Sequence, residues 1–167
     1  VSLGRALDVG CGAGLSTAAL LPVARVVVGI EPVASMLAYC RTVAPGVAFV
    51  GASAEDLPFR PASFDLVTAA GSLNYVDLAM FLPGVARVLA PGGVLVVYDF
   101  SEGRRLRDSD RLDEWFGAFQ RRYPPKPGYD LDVRALPYTP HGLQLDLFET
   151  LEVAVPMTRG SYLPYAM

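Results

Sequence analysis

Residues 6–14 read Ala-Leu-Asp-Val-Gly-Cys-Gly-Ala-Gly, and this stretch decides the fold. A short apolar run reaches Asp8, then Gly10, Gly12 and Gly14 follow at alternate positions, and a helix-like segment begins. Glycine accepts a positive φ and has no Cβ, so such a turn lets the backbone approach a bound molecule closely. Together, the strand, the glycine turn and the helix start predict a site for a nucleotide cofactor. A tight turn in any α/β protein is the structural alternative.

The glycine spacing and a downstream carboxylate bear on which cofactor binds. The dinucleotide fingerprint G-x-G-x-x-G would place its third glycine at position 15, where this chain has Leu15. Glu31 follows the second apolar run, roughly 20 residues beyond the turn, where an acid can accept hydrogen bonds from ribose hydroxyls. An NAD enzyme would use an acid there as well, and Glu31 could instead cap a helix. Glu31 therefore indicates a nucleoside without choosing the cofactor.

Apolar runs rich in β-formers alternate with helical patterns up to about residue 100. The predicted strands are 5–9, 26–30, 47–50, 64–69 and 94–98. Helical spacing appears in two sets: Val33, Met36, Leu37 and Cys40, and Leu78, Phe81, Leu82, Val85 and Leu89. Pro91-Gly92-Gly93 is predicted to end the second helix. This alternation predicts an α/β fold, a Rossmann-like, doubly wound, mostly parallel sheet with helices on both faces.

Residues 101–167 have a different character. Trp115, Phe116 and Phe119 indicate a helix with one aromatic face, whereas residues 123–140 contain prolines and glycine that favour an irregular segment. Residues 149–156 are predicted to form a last strand. We expect a cofactor-binding core in residues 1–100, and a substrate-side helix, irregular segment and last strand of the same domain in 101–167.

Composition narrows the classes of function. With 167 residues, 52% of them hydrophobic, the chain is long enough for one domain with a real core. No apolar stretch has the length of a membrane span, and a net charge of −3 gives no reason to expect nucleic-acid binding. Cys11 and Cys40 fit a reducing compartment, and no metal-ligand cluster is apparent. We expect a cytoplasmic protein without a metal site, and either a monomer or a homodimer.

Two motifs resemble one enzyme family. Asp8–Gly14 resembles the first motif, D-V-G-C-G-x-G, of the class I S-adenosylmethionine (SAM)-dependent methyltransferases. Residues 53–59, Ser-Ala-Glu-Asp-Leu-Pro-Phe, resemble the A-E-x-L-P-F stretch of small-molecule methyltransferases related to the ubiquinone and menaquinone biosynthesis enzymes. The resemblance covers residues 5–100. It implies SAM as the cofactor and a small-molecule acceptor, and it leads us to expect a fold that is incomplete at one or both ends.

The resemblance also implies a set of cofactor-binding residues. They are Asp8, Gly10, Gly12, Gly14, Glu31, Met36, Ser53, Ala54, Glu55, Ala69 and Ala70. Gly10, Gly12 and Glu31 would hold the methionine and ribose parts, and residues 53–55 the adenine. Ser53 stands where many relatives carry Asp. Met36 would pack on the adenine or in the core.

Catalytic candidates are fewer. Methyl transfer requires alignment and the exclusion of water, and a general base only when the acceptor arrives protonated. His141, the sole histidine, lies in a Pro-His-Gly turn, and Asp99 follows the fifth predicted strand. Tyr75 and Trp115 would line the acceptor pocket or belong to the core. The acceptor and its reacting atom (O, N or C) stay open.

Two other classes of function also stay open. A nucleotide-dependent oxidoreductase on a similar sheet would be stabilised by NADH. A methyltransferase-like chain that binds SAM poorly would serve as a partner or scaffold subunit. Ser53 and the apparently missing ends motivate this second alternative.

Overall fold

A parallel sheet forms the centre of the fold. The computed structural model describes residues 3–99, 106–107, 109–124, 131–156, 158 and 160. The strands are β1 Leu3–Val9, β2 Ala24–Ile30, β3 Ala48–Val50, β4 Phe64–Ala70 and β5 Leu89–Tyr98. Their order across the sheet is β3-β2-β1-β4-β5, and every neighbouring pair is parallel. The predicted Rossmann-like α/β fold is confirmed.

Helices connect these strands. They are α1 Leu15–Leu20, α2 Ala34–Val43 and α3 Leu78–Val88, with α4 Arg111–Arg122 after the last strand. Three short 3₁₀ turns occupy Leu73–Tyr75, Val133–Ala135 and Thr139–His141. Because parallel neighbours need a crossover connection, each of the first three helices follows from the strand order.

The two faces of the sheet bury separate clusters. On β1, Leu7 and Val9 pack with Phe81 of α3, whereas Ala6 packs with Leu20 of α1. Successive residues of a strand point to opposite faces, so this division places α3 and α1 on opposite sides of the sheet. The carboxyl ends of β1 and β4 lie between these two layers.

The predicted turn at Pro91-Gly92-Gly93 lies inside β5. Helix α3 ends at Val88, and Leu89 already pairs with Phe64. The next pair joins Val94 to Leu66, so the residues between bulge out of the ladder. Gly92 has a φ of 77°, and proline offers no N–H for pairing. The strand thus begins earlier than residue 94 and is interrupted where the turn was expected.

The prediction of a strand at 149–156 is wrong. These residues form no ladder with any described residue, and Leu151, Val153 and Val155 are 62–79% exposed. Alternating apolar residues favour a strand only when a sheet edge pairs their backbone, and the described part of β5 pairs with β4 alone.

Helix α4 covers the predicted aromatic positions. Its Trp115 and Phe119 rings stack with centroids 5.4 Å apart, and both side chains are exposed. None of the described helices has the length and apolarity to cross a membrane.

Candidate functional site

The carboxylate of Asp8 lies fully buried at the end of β1, directly before the glycine turn. Ser16 Oγ and Thr17 Oγ1, both in α1, donate hydrogen bonds of 2.6 Å to its Oδ2. Thr68 Oγ1 of β4 donates one of 2.9 Å to Oδ1. These bonds join β1 to α1 and to β4. Asp8 therefore positions the glycine turn through the elements on either side of it. Its direct contact with a cofactor stays a prediction.

The turn itself depends on missing side chains. Gly10, Gly12 and Gly14 have φ values of 68°, 54° and 96°, which L-residues with a side chain rarely adopt. A Cβ on Gly10 would lie 2.6 Å from the Cβ of Ser72. A Cβ on Gly12 would meet only the terminal methyl of Met36, at 3.6 Å. Gly10 is therefore required by packing, whereas a Cβ on Gly12 would make only an ordinary van der Waals contact with a flexible side chain.

Glu31 bridges the turn and the start of α2. Its Oε2 accepts a hydrogen bond of 3.1 Å from Gly12 N–H, and its Oε1 accepts one of 3.0 Å from Val33 N–H. The side chain is 7% exposed. Glu31 therefore also binds the backbone at the start of α2, as the helix-capping alternative predicts, since Val33 is the N-cap of that helix. Each carboxylate oxygen keeps a second lone pair for a ribose hydroxyl.

Met36 lies beside the turn rather than in the core. It is 40% exposed, and its methyl is the group nearest to the position that a Cβ on Gly12 would take. In the helical stripe that contains it, only Cys40 is fully buried, and the Cys40 thiol donates to Gly12 O at 3.1 Å. Of the two alternatives for Met36, adenine or core, the contacts of Met36 and Cys40 with the glycine turn favour the first.

The Ser53–Glu55 stretch is internally bonded. The Ser53 hydroxyl donates to the Glu55 carboxylate, and Glu55 N–H donates back to Ser53 Oγ at 3.1 Å. Glu55 Oε1 also accepts a hydrogen bond of 3.0 Å from the backbone N–H of Asp77, the N-cap of α3. These hydrogen bonds hold the pKa of Glu55 below its usual range, and the bond from Ser53 has the largest effect. Ala54 is buried between them.

Small residues end β4. Ala69 is buried in the core, Ala70 is half-buried, and Gly71 follows with a φ of 59°. Ser72 Oγ donates to Val9 O at 3.0 Å, which holds this loop against the glycine turn. The end of β4 and the end of β1 are therefore adjacent.

The catalytic candidates separate in space. Asp99 follows β5 and lines a small pocket with Asn74 and Leu131. Tyr75 is 76% exposed. The described residues that line this pocket do not include Tyr75, His141 or Trp115. His141 lies on a 3₁₀ turn that packs against α3.

Several residues of the site have no counterpart among the predictions. Ser16 and Thr17 follow the turn directly, which is the available signal that hydroxyls could reach Asp8. Thr68 is a polar residue inside an apolar strand, a pattern that indicates a buried partner. The bond from Glu55 to α3 leaves no trace in residue spacing.

A family model described as a methyltransferase domain matches residues 7–97. The chain belongs to this methyltransferase family. Its resemblance to the class I SAM-dependent enzymes is confirmed by this match and by the solved structures that share its fold. A SAM-dependent methyltransferase from Mesorhizobium loti is 33% identical with a TM-score of 0.53, over 57% of this chain and 46% of that one.

Two curated relatives carry more specific names. Trans-aconitate 2-methyltransferase of Azoarcus sp. is 35% identical over 160 residues, which cover 86% of this chain and 59% of that protein. Phthiotriol/phenolphthiotriol dimycocerosates methyltransferase of Mycobacterium leprae is 38% identical, over 66% of this chain and 41% of that protein. This methyltransferase chain spans about half the length of the curated relatives it matches.

Replacing Gly10 with alanine tests the packing of the turn. We expect Gly10→Ala to lower the free energy of unfolding by roughly 2–5 kcal/mol, because left-handed strain adds to a clash with Ser72. Gly46→Ala is the matched control, since Gly46 has a φ of 85° and open space at its Cβ position. It should lose only about 1–2 kcal/mol. Equal losses in urea unfolding would contradict the clash.

Replacing Asp8 with asparagine tests the buried charge. Burial raises the pKa of Asp8 above its ordinary 3.8, although the three hydroxyl bonds offset part of the shift. At a pH between 3.8, the pKa in the unfolded chain, and the raised pKa of the folded state, the folded state retains a proton that the unfolded chain has lost. The free energy of unfolding therefore falls as the pH rises through this window. Asp8→Asn lacks this titration.

The stability of Asp8→Asn relative to the unsubstituted protein should therefore improve as the pH rises through that window, in urea titrations starting at pH 4. A difference for Asp8→Asn that stays constant with pH would sink this account of the carboxylate.

Proposed function

We propose that this chain is part of a SAM-dependent methyltransferase that acts on a small-molecule acceptor. The observation that carries the proposal is the contact between Glu31 and the N–H of Gly12, a glycine at which a Cβ would meet only the terminal methyl of Met36. Both residues lie at the carboxyl ends of β1 and β2. In open α/β sheets, ligands bind at that edge, beside the point where the strand order reverses, which here lies between β1 and β4.

The residues fit SAM part by part. At Gly12 only a side-chain methyl limits the approach of a ligand to the backbone, and we assign the turn from Gly10 to Gly14 to the methionine part. Glu31 is assigned to the ribose hydroxyls and residues 53–55 to the adenine. Met36, beside Gly12 and partly exposed, is assigned to the adenine face.

The pair formed by Ser53 and Glu55 bears on the scaffold alternative. That alternative was motivated by a serine where many relatives carry Asp. In the structure the hydroxyl of Ser53 is bonded to the Glu55 carboxylate, so a carboxylate lies beside the serine that we assign to the adenine. This favours a chain that binds its cofactor. The chain lacks the third glycine of the dinucleotide fingerprint, which argues against the oxidoreductase alternative. The match to a methyltransferase family argues against it as well.

When bound, SAM supplies a methyl group on a sulfonium sulfur that leaves as a neutral thioether. The chain's own residues then have two tasks. The small residues Ala70 and Gly71, next to the glycine turn, let the backbone approach the methionine part of SAM closely. Asp99, on the neighbouring strand end, offers a carboxylate to orient the acceptor or take its proton when that acceptor is a hydroxyl or an amine.

A small-molecule acceptor is supported by the relatives, which are named for trans-aconitate and for phthiotriol lipids. We assign residues 1–100 to cofactor binding and 101–167 to the acceptor side. Residues 101–105, 108, 125–130, 157, 159 and 161–167, which fall in the second of these regions, lie outside the described residues.

Substituting Glu31 tests the proposed site. We expect Glu31→Ala to weaken the binding of S-adenosylhomocysteine by about 1–3 kcal/mol, because the ribose hydroxyls lose a charged partner. Glu31→Gln can still accept a hydrogen bond from one backbone N–H. Its affinity for S-adenosylhomocysteine should therefore lie between those of the unsubstituted protein and Glu31→Ala. Isothermal titration calorimetry measures all three affinities, with Glu114→Gln on the exposed part of α4 as the control. Unchanged affinity in Glu31→Ala would remove Glu31 from the site.

A further inference from the structure

The residues that we assign to the adenine lie on a loop without helix or strand. This adenine loop covers residues 51–63, between β3 and β4. Pro58 and Pro61 have no N–H to offer, so the loop cannot form a regular hydrogen-bond ladder of its own. A binding site on a loop is specific only when neighbouring groups hold the loop in one conformation. The position of Ser53 and Glu55 therefore depends on groups outside the loop.

Helix α3 supports the adenine loop along its length. At the start of the helix, the N–H of Asp77 donates to Glu55 Oε1 at 3.0 Å. Further along, Leu57 is buried against Gly84, since a Cβ on that glycine would lie 3.6 Å from Leu57 Cδ1. The helix is itself held against the sheet by its buried side chains, which are Phe81, Leu82, Val85 and Val88. The loop therefore lies alongside a well-packed element.

Arg87, in the last turn of α3, binds the far end of this loop. Its Nη1 donates to Phe59 O at 2.5 Å, and its Nη2 donates to Leu57 O at 2.7 Å. Its own C=O accepts from the N–H of Ala62 at 3.0 Å. A guanidinium presents several N–H donors in one plane, so one side chain binds both carbonyls that flank Pro58. Because the donor is charged, these hydrogen bonds are stronger than those between neutral groups.

The hydrogen bonds inside the loop leave Ser53 Oγ as an acceptor. Its single proton is donated to the carboxylate of Glu55, and Glu55 N–H donates to the same oxygen at 3.1 Å. One lone pair of Ser53 Oγ therefore stays available to a ligand. It can accept a hydrogen bond from the amino group of adenine, whereas a carbonyl oxygen at that place would offer no proton. In this conformation the loop favours an amino purine over an oxo purine.

We propose that Arg87 is a positioning residue for the cofactor, which holds the adenine loop so that Ser53 can accept a hydrogen bond from the adenine amino group. This inference rests on the proposed function, since it takes residues 53–55 as the adenine contact. The two side-chain hydrogen bonds of Arg87 end on Leu57 and Phe59, so it acts on Ser53 through the loop backbone. Without them the loop has to be ordered when the ligand binds, and this ordering lowers the affinity.

Two ligands and four proteins test this role. The ligands are S-adenosylhomocysteine and S-inosylhomocysteine, in which a carbonyl oxygen replaces the purine amino group, and calorimetry measures both affinities below the melting temperature. The proteins are the unsubstituted protein, Arg87→Met, Arg87→Lys and a control, Arg41→Met, which removes an exposed arginine from the last turn of α2. Partial unfolding lowers both affinities by the same factor. The ratio of the two affinities therefore reports on the loop and not on stability.

We expect the unsubstituted protein to prefer S-adenosylhomocysteine by roughly tenfold, because the oxo ligand loses the hydrogen bond to Ser53. Arg87→Met should bind S-adenosylhomocysteine more weakly and reduce this preference to about twofold or less, because the loop no longer holds Ser53 in place. Arg87→Lys keeps a charged donor but lacks the planar fork, so its preference should lie between these two. Arg41→Met should keep the preference of the unsubstituted protein.

An undiminished preference in Arg87→Met would make Arg87 merely structural, even if both affinities fell together. An equal loss of preference in Arg41→Met, or equal affinity of the unsubstituted protein for both ligands, would also overturn the inference. If Arg87→Met does not fold, Arg87→Lys carries the same test, and a preference equal to that of the unsubstituted protein would then overturn the role. Failure of the unsubstituted protein to bind S-adenosylhomocysteine would instead overturn the proposed function.

Discussion

The hydrogen bonds to the Asp8 carboxylate fix the point at which strand, glycine turn and helix meet. Ser16 and Thr17 hold the first turn of α1, and Thr68 holds β4. A buried carboxylate is costly unless it is well bonded, so this arrangement is sensitive to any partner that is lost. The left-handed backbone of the turn is stable because these bonds, and the packing of Gly10 on Ser72, hold it from below.

The strand order then divides the edge of the sheet into two working halves. Glu31 and residues 53–55 lie on the side of β2 and β3, where we assign the adenosyl group. Asp99 follows β5 on the other side of β1, where we assign the acceptor. Ser72 joins the halves through Val9 O. The two halves meet at the boundary between β1 and β4, which the hydrogen bond from Thr68 to Asp8 joins. A methyl group that passes from one half to the other would cross this boundary.

Much of this architecture follows from local residue patterns, and the exceptions have physical causes. The apolar runs and glycine turn are local features, so the five strands were predictable from them. Residues 149–156 show strand periodicity, but a strand also needs a partner edge, which no local pattern supplies. The Met36 stripe is helical as expected, yet it faces a turn 24 residues away in the chain, counting from Gly12.

The central claim is that the edge of the sheet around Gly12 and Glu31 binds the adenosyl cofactor of a methyltransferase. A thermal-shift titration with S-adenosylhomocysteine and, separately, with NADH tests it most directly. Our account predicts that S-adenosylhomocysteine raises the melting temperature with rising concentration, by an amount equivalent to about 2.7 kcal/mol at 100 times its Kd, and that NADH has no effect. Stabilisation by NADH without stabilisation by S-adenosylhomocysteine would contradict it.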